Sequence, residues 1–469
     1  MILTTKLFNR KHLYAAVSLL LLLACLLGLS ACASKSDGEA ASSAAGLRTY
    51  TPGTEGKWSG RELTVATVGA NNVERYALEF NSNPDRDFKL TIVNYLKSGE
   101  SRDVAYARLN ADLAAGKAPD MIDFDMIPSR DIYARQGLLR DMSDYFYSEF
   151  QLDDFYALDL LNRNDALYFF PSHFAIITAY GNPKIFAGKS SWSISDYEQL
   201  SRLPQFAETP ADTQDSFLTI LHDYMIPNWV DLEHGESHLD GGSLSDALRF
   251  AATLSAGQAN FDADPAALVG AGSLLYNYTW IYTPADIRTI ESDMGGPAAF
   301  IGSPTPDGSF GSSLFMYGLV GVNAASENAD LAWEYIRFLM TEERLIHDKK
   351  AWDDISVLKS AVKEKIEHML NPYAEFEGKT IVINEDGTFE ADGVHEDRIY
   401  DPTPYITEEQ AKKFYELIER TTHVYAADNA VDEIIIGGAA QYLAGDRTLE
   451  DTVADIQSRI NIYLAEQCG

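Results

Sequence analysis

Four aromatic residues within seven positions give this chain its clearest recognition chemistry: Tyr276, Tyr278, Trp280 and Tyr282. Aromatic rings pack against the apolar C–H faces of sugars, and a few placed polar groups bind the sugar hydroxyls. Trp280 is therefore the first candidate for contact with a small polar ligand, with Tyr278 and Tyr282 beside it. A buried aromatic strand is the alternative interpretation for Tyr276 and Tyr278.

Polar residues that are candidates for ligand binding follow predicted strands or apolar segments. Asn72, together with Asn71, follows the first strand, where its amide can bind ligand hydroxyls or cap a helix. Asp125 follows the third strand and either accepts hydrogen bonds from a ligand or is only solvated. His173, next to Ser172, is expected at the floor of a ligand site, although a lone histidine is more often structural.

Metal and cofactor chemistry is weakly supported. Residues 231–240 contain two histidines among carboxylates, which are ligands that Zn²⁺ accepts. The segment has no HExxH motif, and its Gly and Ser indicate a loop, so we expect no metal. Residues 384–387 hold only a fragment of a calcium loop, and a hairpin turn explains them better. No cofactor is expected.

Common hydrolase motifs are missing from the sequence. It has no GxSxG elbow, no P-loop and no nucleophilic cysteine partnered with a histidine. A glycosidase carboxylate pair stays open, because the chain has 70 acidic residues and their spacing does not exclude one. We therefore expect a binding protein rather than an enzyme.

The N-terminus has the parts of an export signal. Three cations precede a mostly apolar run over residues 13–27, and small residues precede Cys32. Residues 29–32 resemble the lipobox of bacterial lipoproteins, which implies cleavage before Cys32 and a diacylglyceryl group on its sulfur. The apolar run is shorter than the ~20 residues that span a bilayer comfortably, which disfavours an uncleaved anchor. Residues 1–31 are predicted to be removed, and residues 32–60 to form a lipidated, flexible tether.

Length and charge narrow the protein class. Removal of 31 residues from 469 leaves 438, more than the about 250–300 at which single cores stop growing, so two lobes are expected. Loss of the three signal cations changes the net charge from −33 to −36, which repels nucleic acid and anionic lipid. Membrane attachment must therefore come from acyl chains.

Hydrophobic patterning predicts an α/β protein. The strands predicted near the N-terminus begin at residue 62 and cover 89–93 and 121–124. Helices between them complete a βαβ unit with a parallel sheet. Further predictions are a strand from Phe315 to Val322, a hairpin over 378–389 that turns at Asp386–Gly387, and a final helix with a capping box at Thr448 and Asp451.

Six short segments follow one another along nearly the whole mature chain. They cover residues 114–120 (AAGKAPD), 136–142 (QGLLRDM), 167–171 (LYFFP), 192–197 (WSISDY), 322–336 in part, and 442–448 (YLAGDRT). In this order and spacing they resemble the family 1 extracellular solute-binding proteins of ABC importers, a group that includes sugar receptors. Residues 228–243 and 371–405 fit the pattern poorly and are treated as insertions or divergent loops.

The resemblance implies a periplasmic-binding-protein-like fold, in which two α/β lobes of interleaved segments close on a ligand by hinge motion. Lobe one is expected to hold residues 61–172 with 315–360, and lobe two residues 173–312 with 365–469. Trp280 lies where the family places an aromatic residue against the ligand. Weaker candidates from lobe two are Asp428, Asn429 and Asp432.

The resemblance also implies a function. It predicts a monomeric, lipid-anchored receptor on the outer face of the bacterial cytoplasmic membrane, which captures a carbohydrate or oligosaccharide and delivers it to the transmembrane subunits of an ABC permease. No nucleic acid partner is expected. The alternatives are a receptor for a peptide, a polyamine or another polar solute, a secreted glycosidase-like hydrolase, and an adhesive lipoprotein.

Overall fold

The structure is a computed structural model. It describes residues 60–69, 72–127, 129–162, 166–206, 213–222, 226–231, 235–239, 242–256, 263–341, 354–374, 377–384, 387–399, 404–425 and 428–468. The predicted signal, Cys32, the tether up to residue 59 and Asn71 lie outside these ranges, as do parts of the loops 228–243 and 371–405. Within the described part of the chain, no helix combines the length and apolarity needed to cross a membrane.

One main sheet, called sheet one, is mostly parallel. Its strands are β1 (Glu62–Thr67), β2 (Lys89–Asn94), β3 (Met121–Asp123) and β10 (Val320–Val322), in the order β10–β3–β1–β2. The first three strands run parallel, and β10 is antiparallel to β3. Leu63 and Val65 are fully buried, as their alternation with polar neighbours predicts. The predicted βαβ unit is confirmed.

The helices of this unit bury one stripe each. Helix α1 (Asn72–Ser82) buries Val73, Tyr76, Ala77 and Phe80, and helix α2 (Arg102–Ala114) buries Ala105, Leu109 and Leu113. This spacing of three and four residues is that of an amphipathic helix. Gly116 follows α2 with a left-handed φ of 65°, a conformation that glycine adopts without steric cost.

The second main sheet, called sheet two, is built around one buried strand. Strand β4 (His173–Gly181) pairs antiparallel with β7 (Tyr276–Ile281), β8 (Ala299–Phe300), β9 (Ser313–Tyr317) and β11 (Ile355–Ser356). Both β7 and β9 pair with β4 at residues 176 and 177, so they lie on its opposite edges. Every residue of β4 is buried.

Both faces of sheet two are covered. Successive side chains of β4 point to opposite faces, and all of them are buried. Phe174, Ile176 and Tyr180 pack in one hydrophobic cluster, which continues into sheet one. Ile177 and Ala179 pack in a second cluster with residues of the C-terminal helices. The expectation of an α/β fold is confirmed.

The remaining helices and strands are as follows. The other α-helices are α3 (Arg130–Arg135), α4 (Ser143–Tyr147), α5 (Leu158–Leu161), α6 (Pro183–Phe186), α7 (Ile194–Ser201), α8 (Gln214–Ile220), α9 (Ile226–Trp229), α10 (Ser243–Ala251), α11 (Pro265–Ala271), α12 (Pro284–Met294), α13 (Ala329–Met340), α14 (Lys359–Leu370), α15 (Glu408–Arg420), α16 (Asn429–Leu443) and α17 (Leu449–Cys468). Two small antiparallel sheets consist of β5 (Val230–Asp231) with β6 (Glu236–Ser237), and of β12 (Ile381–Ile383), β13 (Thr388–Ala391) and β14 (Val394–Ile399).

The predicted hairpin is confirmed, and the predicted cap of the final helix is confirmed in part. Strands β12 and β13 form the predicted hairpin, with Ile383 opposite Phe389, although Asp386 in its turn lies outside the described residues. At the start of α17, the Asp451 amide donates to the Thr448 hydroxyl at 3.1 Å, and that hydroxyl donates to the Asp451 carboxylate at 2.9 Å.

The prediction of one strand from Phe315 to Val322 is wrong. The chain breaks at Gly318, which has a left-handed φ of 58°. Residues before it form β9 in sheet two, and residues after it form β10 in sheet one. The chain also passes between the sheets near Ser172, and it returns to sheet two at β11. The assignment of residues to two lobes remains a prediction.

Candidate ligand-binding site

A cavity of about 440 Å³ lies at the carboxyl end of β3. The turn after β3 contributes Asp125, the start of α2 contributes Tyr106, and α3 contributes Arg130. Sheet two contributes Phe315, and Tyr425 lies beside it. Ligands of open α/β sheets gather outside the carboxyl ends of strands, so the position fits a ligand site. Its mixture of rings and charged groups also fits one.

Asp125 holds the chain where it passes between the sheets. Its two carboxylate oxygens accept hydrogen bonds from the amides of Gly318 at 3.1 Å and Leu319 at 2.8 Å. Burial and the nearby carboxylate of Asp123 raise the pKa of Asp125, while the two amides oppose that rise. The residue thus lines the cavity and binds backbone at the same time, and direct contact with a ligand remains a prediction.

The buried Asp123 fixes the neighbouring strand ends. It accepts a hydrogen bond from the Thr67 hydroxyl at 3.0 Å and one from the Asp125 amide at 3.1 Å. Thr67 ends β1 and Asp123 ends β3, so these bonds hold two adjacent strand ends together. The arrangement positions Asp125 against the cavity.

Four rings form a continuous row, here called the aromatic row: Tyr282, Trp280, Phe315 and Tyr425. Trp280 stacks on Tyr282 with 5.9 Å between centroids, and Phe315 stacks on Tyr425 at 5.3 Å. The rings of Trp280 and Phe315 are 5.2 Å apart. All four side chains keep some exposure to solvent, and Tyr282 is 42% exposed. Phe315 and Tyr425 line the cavity, and Trp280 and Tyr282 extend the row away from it.

Strand pairing explains how the row forms. Trp280 of β7 is paired with Ile177, and Phe315 of β9 is paired with Ala175, so both rings stand on the same face of sheet two. Ala175 is small and fully buried, which leaves room for the two rings to meet above β4. Tyr278 shares this face, is half-buried and packs against the second hydrophobic cluster.

His173 is buried next to the aromatic row. Its ring stacks on Tyr317 with 5.1 Å between centroids and 9° between planes. Its Nδ1 lies 2.7 Å from the Ser172 hydroxyl and 3.1 Å from the Tyr76 hydroxyl, and its Nε2 lies 3.7 Å from the Asp354 carboxylate. These five residues are called the hinge cluster. They connect α1 with the three places where the chain passes between the sheets: at Ser172, next to Tyr317 and next to Asp354.

The hinge cluster reaches the aromatic row through Tyr317. Burial and a hydrogen bond with Tyr282 raise the pKa of the Tyr317 hydroxyl. Its ring also packs on Phe315, with 4.8 Å between centroids. Tyr282, which is predicted to contact the ligand, is therefore connected to the hinge cluster through the side chain of Tyr317.

The structure brings only some of the predicted site residues together. Trp280 and Tyr282 join the aromatic row, and Asp125 lines the cavity, whereas Asn72 opens α1 half-buried at the carboxyl edge of sheet one. The roles of these residues in binding remain predictions. Sequence reasoning missed Phe315 and Tyr425, which have no motif of their own.

Metal-binding groups are not assembled in the described part of the chain. No cluster of three or more His, Cys, Asp or Glu side chains is found there. Of the two histidines in residues 231–240, His234 lies outside the described residues and His238 is exposed.

Sequence comparison identifies no relative. No family model matches the chain. No curated protein matches it either.

Structure comparison identifies several similar folds. The sugar-binding protein MalE from Xanthomonas citri has a TM-score of 0.52 at 14% identity, over 87% of this chain and 98% of that one. An ABC transporter solute-binding protein from Thermotoga lettingae, bound with α-D-tagatose, has a TM-score of 0.51 at 14% identity, over 86% and 100%. A structure described as a de novo designed esterase, improved by directed evolution and rational design, has a TM-score of 0.53 at 13% identity, over 87% and 99%.

At these identities the similarity defines the fold and leaves activity to the site itself. The two solute-binding proteins match 86–87% of this chain over at least 98% of their own length. The chain therefore has the two-lobed α/β fold of ABC-transporter solute-binding proteins.

Proposed function

We propose that this protein is an extracytoplasmic solute-binding receptor of the family 1 type, which captures a carbohydrate or oligosaccharide for an ABC importer. The observation that carries the proposal is the cavity of about 440 Å³ at the carboxyl end of β3, lined from both main sheets. Such a position lets one ligand touch both halves of the molecule. Its chemistry is binding and release, without a covalent step.

The residues of the site favour a carbohydrate as the ligand class. Four rings stand in a row, and the cavity next to them carries the side chains of Asp125, Arg130 and Tyr425. Rings match the C–H faces of a pyranose or furanose, and the polar groups match its hydroxyls. The Thermotoga lettingae and Xanthomonas citri proteins named above support this ligand class. A peptide or polyamine is the competing class.

Closure is expected at the passages of the chain between the two main sheets. We expect the two halves to move relative to one another by hinge rotation about these passages. A ligand held between them shifts the population toward the closed form in proportion to its extra contacts there. The permease would then recognise the closed form preferentially.

Anchoring rests on the sequence alone. Cleavage before Cys32 and lipidation of its sulfur would leave residues 33–60 as a tether outside the bacterial cytoplasmic membrane. Two acyl chains hold a protein stably, which a chain with a net charge of −36 after loss of the signal requires. Intact mass spectrometry of the protein from its native membrane tests this, and an unmodified Cys32 would contradict it.

A ligand panel tests the receptor proposal. The folded domain is screened by thermal shift against D-tagatose, maltotriose, mannotriose, a tripeptide and spermidine, and each positive is titrated by calorimetry. We expect saturable stabilisation by one of the sugars, with the sugar recovered unchanged. Stabilisation by the tripeptide or spermidine alone would contradict the proposal of a sugar ligand. Hydrolysis of a glycoside by the protein would contradict the receptor proposal and indicate an enzyme.

A further inference from the structure

The backbone of Tyr425, a residue of the aromatic row, is held beside β9 by hydrogen bonds. Its amide donates to the Leu314 carbonyl at 2.8 Å, and the Leu314 amide donates to the His423 carbonyl at 2.8 Å, so the segment runs alongside β9. Its own carbonyl accepts a hydrogen bond from Arg130 at 3.3 Å. The backbone at Tyr425 is thus held from both sides of the cavity, and the ring needs a separate constraint.

That constraint comes from a histidine and a carboxylate. The Tyr425 hydroxyl lies 3.4 Å from Nε2 of His222, and the same Nε2 lies 3.0 Å from Oδ2 of Asp432. His222 follows α8, and Asp432 lies in the first turn of α16. Both side chains are half-buried. The segment after α8 and the start of α16 therefore contribute the two side chains next to the ring that lines the cavity.

The donor and acceptor roles follow from the chemistry of the groups. A carboxylate accepts only, so the bond to Asp432 requires the hydrogen on Nε2 of His222. That one hydrogen also faces the oxygen of Tyr425, as the longer arm of a shared hydrogen bond. The Tyr425 hydroxyl therefore accepts from His222, and its own hydrogen is directed elsewhere.

We propose that His222, oriented by Asp432, is a positioning residue that sets the ring and the hydroxyl direction of Tyr425 for hydrogen-bond donation to a ligand oxygen. The proposal deepens the receptor function and rests on it. The neighbouring Asp428 has a different task, because it caps α16 through the amides of Ala430 and Val431. Asp432 is thereby left to bind His222.

The first test needs no ligand. Fluorotyrosine is introduced at position 425, and its ¹⁹F resonance is recorded in the otherwise natural protein and in the H222A and D432A variants. We expect a shifted or broadened resonance in both variants, because the ring loses the contact that orients it. An exposed histidine, His238, supplies the control, and H238A should leave the resonance in place. An unchanged resonance in H222A would overturn the proposal.

The second test is a double-mutant cycle in binding. The probes are D-tagatose and maltotriose, titrated by calorimetry. Loss of one hydrogen bond predicts an affinity roughly 3- to 10-fold lower for H222A and for Y425F. The double variant should lose little more than Y425F alone, and H222Q, which keeps a donor, should recover part of the affinity. Independent, multiplying losses would overturn the positioning role.

The two tests separate the failure of the inference from that of the receptor function. If neither sugar binds the natural protein while the ¹⁹F resonance responds to H222A, the receptor proposal for these sugars fails and the geometric assignment holds. If a sugar binds and H222A changes neither affinity nor resonance, the receptor proposal stands and the positioning role is refuted.

Discussion

The ring of Tyr317 lies flat against the ring of His173, with 5.1 Å between their centroids and 9° between their planes. The two residues face each other on paired strands, β9 and β4. Tyr317 immediately precedes the left-handed Gly318, and His173 immediately follows the first passage between the sheets. One stacked pair therefore joins two of the passages about which the halves would rotate.

This stack lies between the ligand-facing rings and the hinge. On one side Tyr317 bonds with Tyr282 of the aromatic row. On the other side His173 approaches Asp354, which pairs with Arg75 of α1 at 3.6 Å. A ligand that moves Tyr282 can alter the contacts at the passages without touching them, provided that the cluster has two arrangements.

Replacement of Trp280 by alanine should weaken ligand binding without unfolding the protein. The ring is half-buried in the middle of the aromatic row, between Tyr282 and Phe315, so its loss removes a ring contact on each side. A central aromatic contact is worth roughly 2 kcal/mol or more, about thirtyfold in affinity. Calorimetry with the sugar that stabilises the protein measures the loss, and the urea midpoint reports folding.

A matched control comes from an exposed tyrosine elsewhere. Tyr147 is 41% exposed on α4, close to the 42% of Tyr282, and its ring contacts Phe146. Tyr147→Ala should leave the affinity unchanged, whereas Tyr282→Ala should lower it. Equal affinities for the natural protein and Trp280→Ala would move the ligand site away from the aromatic row.

Alanine at Gly318 should destabilise the fold strongly. The added Cβ would overlap the Ser172 hydroxyl and lie 3.0 Å from Cε2 of Tyr76, at a backbone φ of 58°. The left-handed conformation costs about 1–2 kcal/mol and the overlap about 1–3 kcal/mol more. Urea denaturation measures the change in the free energy of unfolding.

Gly137 is a control that separates the cost of the left-handed backbone at Gly318 from the cost of the steric overlap. Its φ of 68° is also left-handed, but a Cβ there would meet no atom within 4 Å. Gly137→Ala should therefore cost only about 1–2 kcal/mol. Adding Ser172→Gly to the Gly318→Ala variant should restore part of the stability. Equal losses at the two glycines would show that the passage tolerates the extra atom.

Local sequence patterns located the first βαβ unit. Alternation placed β1, and short apolar runs placed β2 and β3, the last of which is buried throughout. The pattern failed at Gly318, where a single apolar run crosses from one sheet to the other. Alternation records burial, and both parts of the run are buried, so it cannot show a change of sheet.

The candidate site was predictable only in part. Trp280 and Tyr282 stand close together in the sequence and in an aromatic segment, which made them visible. Phe315 and Tyr425 join them through strand pairing with β4 and β9, a long-range relationship that no local motif records. His173 was expected at the floor of a ligand site, with a structural histidine as the alternative; the structure buries it against Tyr317.

Removal of the Tyr282 hydroxyl should affect binding more than stability. Tyr282→Phe keeps the ring in the aromatic row but deletes the hydrogen bond with Tyr317. We expect an affinity lower by roughly three- to tenfold, from the loss of one hydrogen bond that supports the ligand-facing ring. Calorimetry measures it, with Tyr147→Phe as the control. A loss of unfolding free energy with unchanged affinity would assign the bond to stability alone.

Asp125 should make the protein less stable as the pH rises. Burial and the nearby Asp123 raise its pKa, against the opposing hydrogen bonds from the amides of Leu319 and Gly318. The native state then keeps a proton that the unfolded state has already released above the ordinary carboxyl pKa of about 4. Because the native state binds more protons in that range, the free energy of unfolding falls with rising pH.

Asp125→Asn removes this contribution, so the variant should gain stability relative to the natural protein as the pH increases from about 4 toward about 8. Asp307→Asn is the control of opposite sign, since hydrogen bonds from Ser309 lower the pKa of Asp307. That variant should lose relative stability as the pH rises through the acidic range, because the natural carboxylate is stabilised once ionised. Urea titrations across this range measure both differences. If the Asp125 difference stays flat while the Asp307 difference changes as stated, Asp125 keeps an ordinary pKa in the native state, and its carboxylate is ionised against the cavity at neutral pH.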